Sequence, residues 1–421
     1  MFKTILPLIV PILLISCKST SEFSGFSYDP PGATNTIDKT TTPQKHRVIG
    51  AGEPKIWVSN EFESARLNDF YQIDESTFEV VIAPENAPIN NSPWYAFKVW
   101  TEVPRAINLQ FIYKDAKHRY KPKIWNETGT MSSSHIIESV TYDSTNSSVS
   151  FPIYITENPQ VISAQFLEKI RYSDLIQKSK HQLPSFVSVD TVGLSSQERP
   201  ILEFTADETR SGSNTGVLIL LSRQHPPEIS GYRTYQAFWD ELTSNSELAY
   251  SFRKHFIIKA YPIINPDGVV NGHWRHNLNG IDLNRDWENF NQPETKAIRN
   301  ALLTIKNDPS KKVYYGIDFH STNENILYPI DEEVKTFPDN LTQEWAEYIK
   351  EENPELLFVS EEFDTSSPIS KNWIYHTFGS DAVTFEVNDE LDSSESTLLG
   401  RNAAQSLMKL LIEEWSMLNN K

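Results

Sequence analysis

Apolar and polar positions follow two different rhythms along this chain. Over residues 48–165 they alternate. Phe78-Glu79-Val80-Val81-Ile82 sets the pattern, and segments 94–100, 107–113 and 149–155 repeat it. Strict alternation separated by turn residues predicts half-buried strands, and several such strands predict a small β-sandwich. From residue 166 the rhythm changes. Mainly apolar runs at 217–221, 256–264, 313–317 and 383–387 read as buried strands. Two shorter β-like pieces, 186–192 and 201–205, precede them. Helical spacing is found at 172–182, 232–242, 292–306 and 397–417, with Pro293 suited to a first helical turn. Strands alternating with helices predict an α/β domain, a mostly parallel mixed sheet between helix layers, over 166–421.

The N-terminal residues follow neither rhythm. Lys3 precedes an apolar run at 5–15 that falls short of the roughly 20 residues a membrane helix needs. Leu14-Ile15-Ser16-Cys17 then resembles a bacterial lipoprotein cleavage box. The expectation is a signal peptide at 1–16, lipidation at Cys17 and a tether in the bacterial cell envelope, at the periplasmic or outer-membrane side. An ordinary signal peptide is the alternative. Cys17 is the only cysteine, which excludes an intramolecular disulfide. Residues 17–47, rich in Ser, Thr and Pro, read as a flexible linker. A net charge of −18 argues against a nucleic-acid partner, because phosphate contacts need a basic face.

Chemistry gathers where the predicted buried strands end. Gln224-His225-Pro226-Pro227-Glu228 follows the run at 217–221. Asn265-Pro266-Asp267-Gly268 follows the run at 256–264 and reads as a tight turn, with φ > 0 at the glycine. Beyond it come Arg275, Asp282-Leu283-Asn284-Arg285 and Trp287. Asp318-Phe319-His320 ends the run at 313–317, and Thr384-Phe385-Glu386 sets a carboxylate inside a strand. Sites in open α/β sheets form outside the carboxyl ends of strands. In this order the motifs resemble the zinc metallocarboxypeptidases, the carboxypeptidase A-like enzymes, over roughly 166–421. Phe62-Glu63-Ser64-Ala65-Arg66-Leu67 and Trp94-Tyr95-Ala96-Phe97 more loosely resemble the N-terminal β domain of the cytosolic carboxypeptidase-like branch. Pro at 227, where the pancreatic enzymes carry Arg, fits that branch too.

The resemblance implies one Zn2+ per chain, held by His225, Glu228 and His320. A residue before proline avoids the α region, so His225 should end the strand loop while Glu228 lies in the first turn of a helix. Two His and one Glu leave a fourth position for water, the arrangement of a catalytic zinc site. His273 and His276 form a competing pair that the family pattern leaves off the metal. Glu386 would be the general base and Arg275 the oxyanion partner. An edge-strand Glu386 facing solvent is the plainer alternative. Asn284 and Arg285 would bind a free C-terminal carboxylate. Asp282 reads equally as a partner of a zinc histidine or as a turn former. Lys371, at the expected pocket floor, implies a preference for acidic C-terminal side chains. The family's mobile Tyr has no counterpart around 363–368, with Tyr375 a partial substitute. Three functions follow: a carboxypeptidase acting on peptides or peptidoglycan-derived stems, an amidase or deacylase with the same metal site, and a zinc-less binding lipoprotein. No obligate protein partner is expected.

Overall fold

The computed structural model describes residues 26–30, 32–35, 39–126, 135–143, 148–181, 183–209, 214–362 and 365–419. The signal peptide and Cys17 lie outside the described residues.

Two sheets face each other in the N-terminal part. One has six strands in the order Val48–Ala51, Ile56–Ser59, Ala96–Thr101, Gln160–Ser163, Lys123–Asn126 and His135–Ile136. The other has five, in the order Asp69–Gln72, Thr77–Ile82, Arg105–Tyr113, Ser148–Ile155 and Thr141–Asp143. Alternation does what it predicts. In Thr77–Ile82 every second side chain (Phe78, Val80, Ile82) is fully buried between the sheets, where Leu109, Phe111 and Val149 meet it.

A third sheet has eight strands, ordered Val187–Leu194, Pro200–Ala206, Phe256–Tyr261, Thr215–Ser222, Lys311–Thr322, Asp381–Asn388, Asn325–Tyr328 and Phe358–Ser360. Its four central strands, from Phe256–Tyr261 to Asp381–Asn388, run parallel, with antiparallel pairings on either side. Both faces are covered, which explains the mainly apolar runs. From Thr215–Ser222, Leu218 and Leu220 join the core beneath helices Ile229–Leu242 and Ser393–Asn419. Val217, Ile219 and Leu221 point the other way, into a core shared with helix Pro293–Lys306 and with Ile374 of helix Ser370–Phe378. Helices Glu247–Arg253, Leu341–Glu352 and Ser370–Phe378 lie outside the expected elements.

One expectation fails locally. Asn265-Pro266-Asp267-Gly268 is not a tight turn but the start of a short helix, Pro266–Val270, with Pro at its N-terminus. The Asn265 side chain caps it by accepting the Gly268 N–H at 2.9 Å. Gly268 is needed for space rather than for φ: a Cβ there would lie 2.7 Å from Pro226 and from the capping amide. In the loop that follows, Gly272 and Gly280 are left-handed (φ 62° and 78°), where the chain turns against Ala65 and against Lys39 and Asn86.

Candidate active site

The sheet's parallel register builds the site. His320 is the direct neighbour of Glu386 across the adjoining strands Lys311–Thr322 and Asp381–Asn388. His225 lies beyond the end of the next strand over, Thr215–Ser222. Glu228 occupies the N-cap position of helix Ile229–Leu242, one position ahead of the expected first turn, and its side chain makes no capping bond. Three segments far apart in sequence thus converge. One ligand atom from each of His225, Glu228 and His320 lies within 4.8 Å of the others, and all three residues are buried.

The ring nitrogens show how such a group is prepared. His225 Nδ1 is 2.8 Å from Glu228 Oε1, and His320 Nδ1 is 2.7 Å from Glu228 Oε2. The opposite nitrogens are held by buried carboxylates: His225 Nε2 by Asp282 Oδ1 at 2.9 Å, His320 Nε2 by Asp318 Oδ2 at 2.8 Å. A carboxylate that accepts a hydrogen bond from Nε2–H leaves the Nδ1 lone pair to a cation. The donor set, two imidazoles and a carboxylate with acidic partners behind each ring, fits a zinc ion. Burial works to raise the Glu228 carboxyl, but the two histidines outweigh it and hold it well below the usual range. Burial works to lower His320, and Asp318 and Glu228 overcome it upward.

Asp282 and Asp318 are the hubs behind the ligands. Fully buried Asp282 also accepts Arg275 Nε at 2.8 Å and the Asn284 N–H at 2.9 Å, so one carboxylate sets both a metal-facing histidine and Arg275. Of its two readings, partner to the histidine and turn former, it satisfies both. Asp318 accepts from Gln224 Nε2 at 2.6 Å and from Ser370 Oγ. Sequence reasoning gave Asp318 no role. Its signal was available: residues i and i+2 of a strand share a face, so Asp318 had to accompany His320.

Glu386 does not sit on an edge strand; its strand is paired on both sides. Its Oε2 is buried without a hydrogen-bond partner. Burial pushes the carboxyl up to about 7, reinforced by Glu228 and opposed by His320, His225 and Arg275. Half-buried Tyr328, on the adjoining strand Asn325–Tyr328, lies in its field.

Asn284 and Arg285 form a single helical turn, Leu283–Arg285. Asn284 Oδ1 accepts the Ser370 N–H at 3.0 Å, and its Nδ2 is 3.3 Å from His320 Nε2. Arg285 donates Nη1 to the Asn284 carbonyl, while its Nε makes no hydrogen bond and lies 3.7 Å from Asp29 Oδ2. Lys371 is fully buried on helix Ser370–Phe378, with Nζ 2.5 Å from the Pro329 carbonyl. Tyr375, on the same helix, has its ring 4.8 Å from that of His376 and tilted by 55° to it. His273 and His276 stay apart from the triad: His273 Nδ1 meets the His276 carbonyl, and His276 Nδ1 meets Asn86 Oδ1 at 2.6 Å.

Sequence reasoning missed how far the β-sandwich enters this site. Fully buried Glu85 accepts three successive backbone N–H groups, from Trp274 (2.7 Å), Arg275 (2.9 Å) and His276 (2.8 Å). Arg119 reaches across to Asp389, just past the Glu386 strand, at 2.6 Å. No local pattern marks Glu85, because its partners lie some 190 residues away.

Comparison with known proteins agrees with the geometry. The family pattern described as zinc carboxypeptidase matches residues 172–394. Cytosolic carboxypeptidase 6 of Mus musculus is 31% identical over 156 residues, covering 36% of this chain and 28% of that protein. The Caenorhabditis elegans cytosolic carboxypeptidase 6 is 24% identical over 293 residues, 65% of this chain and 64% of that one. The chain thus matches well under two thirds of the length of the mouse relative. Among solved structures, a metallo-carboxypeptidase from Burkholderia cenocepacia shares the fold with a TM-score of 0.68 at 17% identity, over 85% of this chain and 98% of that one. A metallo-carboxypeptidase from Pseudomonas aeruginosa does so with a TM-score of 0.65 at 16% identity, over 85% and 99%. Matched over more than half of its length, the chain belongs to the zinc carboxypeptidase family.

Proposed function

We propose that the protein is a zinc carboxypeptidase that removes single residues from the free C-terminus of peptides, peptidoglycan-derived stems included. One observation carries the reading. Two imidazole Nδ1 atoms and the Glu228 carboxylate converge with their outer partners fixed, and a buried carboxyl with an unused oxygen, Glu386, stands beside them. Bound zinc supplies Lewis acidity to the scissile carbonyl and acidity to a water. Glu386 takes the proton of the attacking water and passes it to the leaving amine. Arg275 donates to the carbonyl oxygen as negative charge grows there, a contribution of roughly 3 kcal/mol for one such donor. Asn284 and Arg285 hold the terminal carboxylate, so a blocked terminus leaves both donors unmatched. Lys371, a buried cation on the helix that begins beside Asn284, favours acidic C-terminal side chains. Cys17, once lipidated, tethers the enzyme to the envelope membrane.

A matched peptide set tests the reading. Peptides ending in Glu, Leu and Lys, each with a free or an amidated C-terminus, are incubated with the purified chain as isolated, after chelation and after return of zinc. Only free termini are trimmed, Glu is released fastest, and chelation abolishes activity until zinc returns. Equal cleavage of amidated peptides would shift the assignment to an amidase; equal release of Glu, Leu and Lys would remove Lys371 from it.

A further inference from the structure

The loop 273–280 carries Arg275 but belongs to no helix or strand, so its backbone donors need partners elsewhere. They find them in the other half of the molecule. Glu85 Oε2 takes the Trp274 N–H, and Oε1 takes those of Arg275 and His276. Three consecutive amides closing on one carboxylate make an anion-binding nest, here filled by a side chain of the chain itself. The next residue extends the clip: Asn86 Oδ1 meets His276 Nδ1 at 2.6 Å, and its Nδ2 donates to the Gly280 carbonyl at 3.2 Å. Trp274 Nε1 donates to the Trp94 carbonyl at 3.0 Å. Gly272 turns so close to the β-sandwich that a Cβ would lie 2.4 Å from the Ala65 carbonyl oxygen, and at Gly280 a Cβ would lie 2.8 Å from the Asn86 amide and 2.2 Å from the carbonyl oxygen of Lys39, in the segment ahead of the β-sandwich. The loop is cast against the β-sandwich, and the Arg275 side chain leaves it at the point Glu85 grips.

We infer that Glu85 is a positioning residue for the reaction: by holding the Trp274, Arg275 and His276 amides it fixes the Arg275 guanidinium against Asp282 and the metal ligands. This rests on Arg275 as the oxyanion partner. A carboxylate suits the task because both of its oxygens only accept; a glutamine would turn an N–H2 toward at least one of the three donors. Glu85 touches neither Asn284 nor Arg285, so the hold on the substrate terminus should be independent of it.

The test uses the full zinc-loaded chain in four forms: unaltered, Glu85→Gln, Arg275→Ala and the double variant. Zinc content, kcat and KM are measured on one free-terminus peptide. Glu85→Gln should lower kcat roughly 10- to 100-fold, as a small displacement of a catalytic group does, with KM within about twofold and zinc unchanged. The double variant should match Arg275→Ala alone, because a residue acting through Arg275 has nothing left to position. Additive losses in the double variant, a loss confined to KM, or an unaltered kcat in Glu85→Gln beside a reduced one in Arg275→Ala would each overturn the inference while leaving Arg275 in its role. An unaltered kcat in Arg275→Ala would overturn the reading of Arg275 and the inference with it. If Glu85→Gln does not fold, Asn86→Ala carries the same cycle, since it loosens His276 and Gly280 and leaves the carboxylate in place.

Discussion

At the scale of single residues, Glu386 stands in tension between stability and chemistry. A buried carboxyl oxygen without a partner is costly, and the ionised form costs most. Burial therefore raises its pKa to about 7. The folded state then keeps this proton to higher pH than the unfolded chain does, so ionising Glu386 erodes stability as pH climbs from the ordinary carboxylate range toward 7. A base works only when ionised, so kcat/KM climbs with pH as Glu386 loses its proton, over an interval that bound zinc, a neighbouring cation, moves to lower pH. Glu386→Gln should keep zinc, lose roughly 10²- to 10⁴-fold in kcat, and show no acid limb in whatever activity remains. The metal-free variant should also melt higher than the metal-free parent at neutral pH. A variant with near-parental kcat, or an unchanged acid limb, removes Glu386 from the base role. The candidate residues were legible one by one: His225, Glu228 and His320 come together from separate segments and Glu386 is paired with His320, although Glu228 sits at the N-cap rather than in the first helical turn. Their supports were less so. Asp318 was readable from strand alternation, whereas Glu85 is tied to the site only through the folded interface.

Elements bring those residues into contact, and here a glycine decides the distance. Helix Ile229–Leu242 carries Glu228 at its mouth and lies directly over the strand that carries His320. Gly231 makes the approach. A Cβ there would lie 2.1 Å from the His320 carbonyl oxygen and 2.7 Å from its carbon, backbone atoms that cannot step aside. The Gly231 N–H also donates to Ser321 Oγ at 2.8 Å. Gly231→Ala must push the helix mouth outward and take Glu228 with it. The expected result is a weaker zinc site, read by competition with a chelator, and a loss of about 1–3 kcal/mol in denaturant unfolding, the usual scale for forcing atoms into a packed core. Parental zinc affinity in Gly231→Ala would show that the helix position does not set the ligand. The strands were legible because their apolar runs are long and both faces are covered. Helix Ser370–Phe378 was not, because its first turn buries Ser370, Lys371 and Asn372 and so shows no apolar stripe. The pairing of His320 with Glu386 depends on register between strands some 60 residues apart, which periodicity within either strand cannot fix.

At the scale of the whole molecule, the two halves share one site. The β-sandwich grips the Arg275 loop through Glu85, and Arg119 and Gln165 both reach Asp389 beyond the Glu386 strand. The chain ahead of the β-sandwich comes to the same place. Ser27 donates its N–H to the Ser366 carbonyl at 2.8 Å, Asn289 donates to the Tyr28 hydroxyl at 2.6 Å, and Asp29 lies 3.7 Å from Arg285 Nε. The Asp29 carboxylate is nearly half exposed, so its pull on Arg285 is screened, and under the proposed function a terminal carboxylate seated on both Asn284 and Arg285 would displace it. Cys17 lies only ten positions before Ser27. Even fully extended that stretch spans no more than about 35 Å. A lipid on Cys17 would therefore hold the mouth of the site near the membrane, within reach of substrates at its surface. In cell fractionation the parent chain should sediment with membranes. Cys17→Ser should appear in the soluble fraction with unchanged kcat/KM on short soluble peptides, because Cys17 takes no part in the chemistry. A parent chain found free of membranes would leave the enzyme its active site and take away its tether.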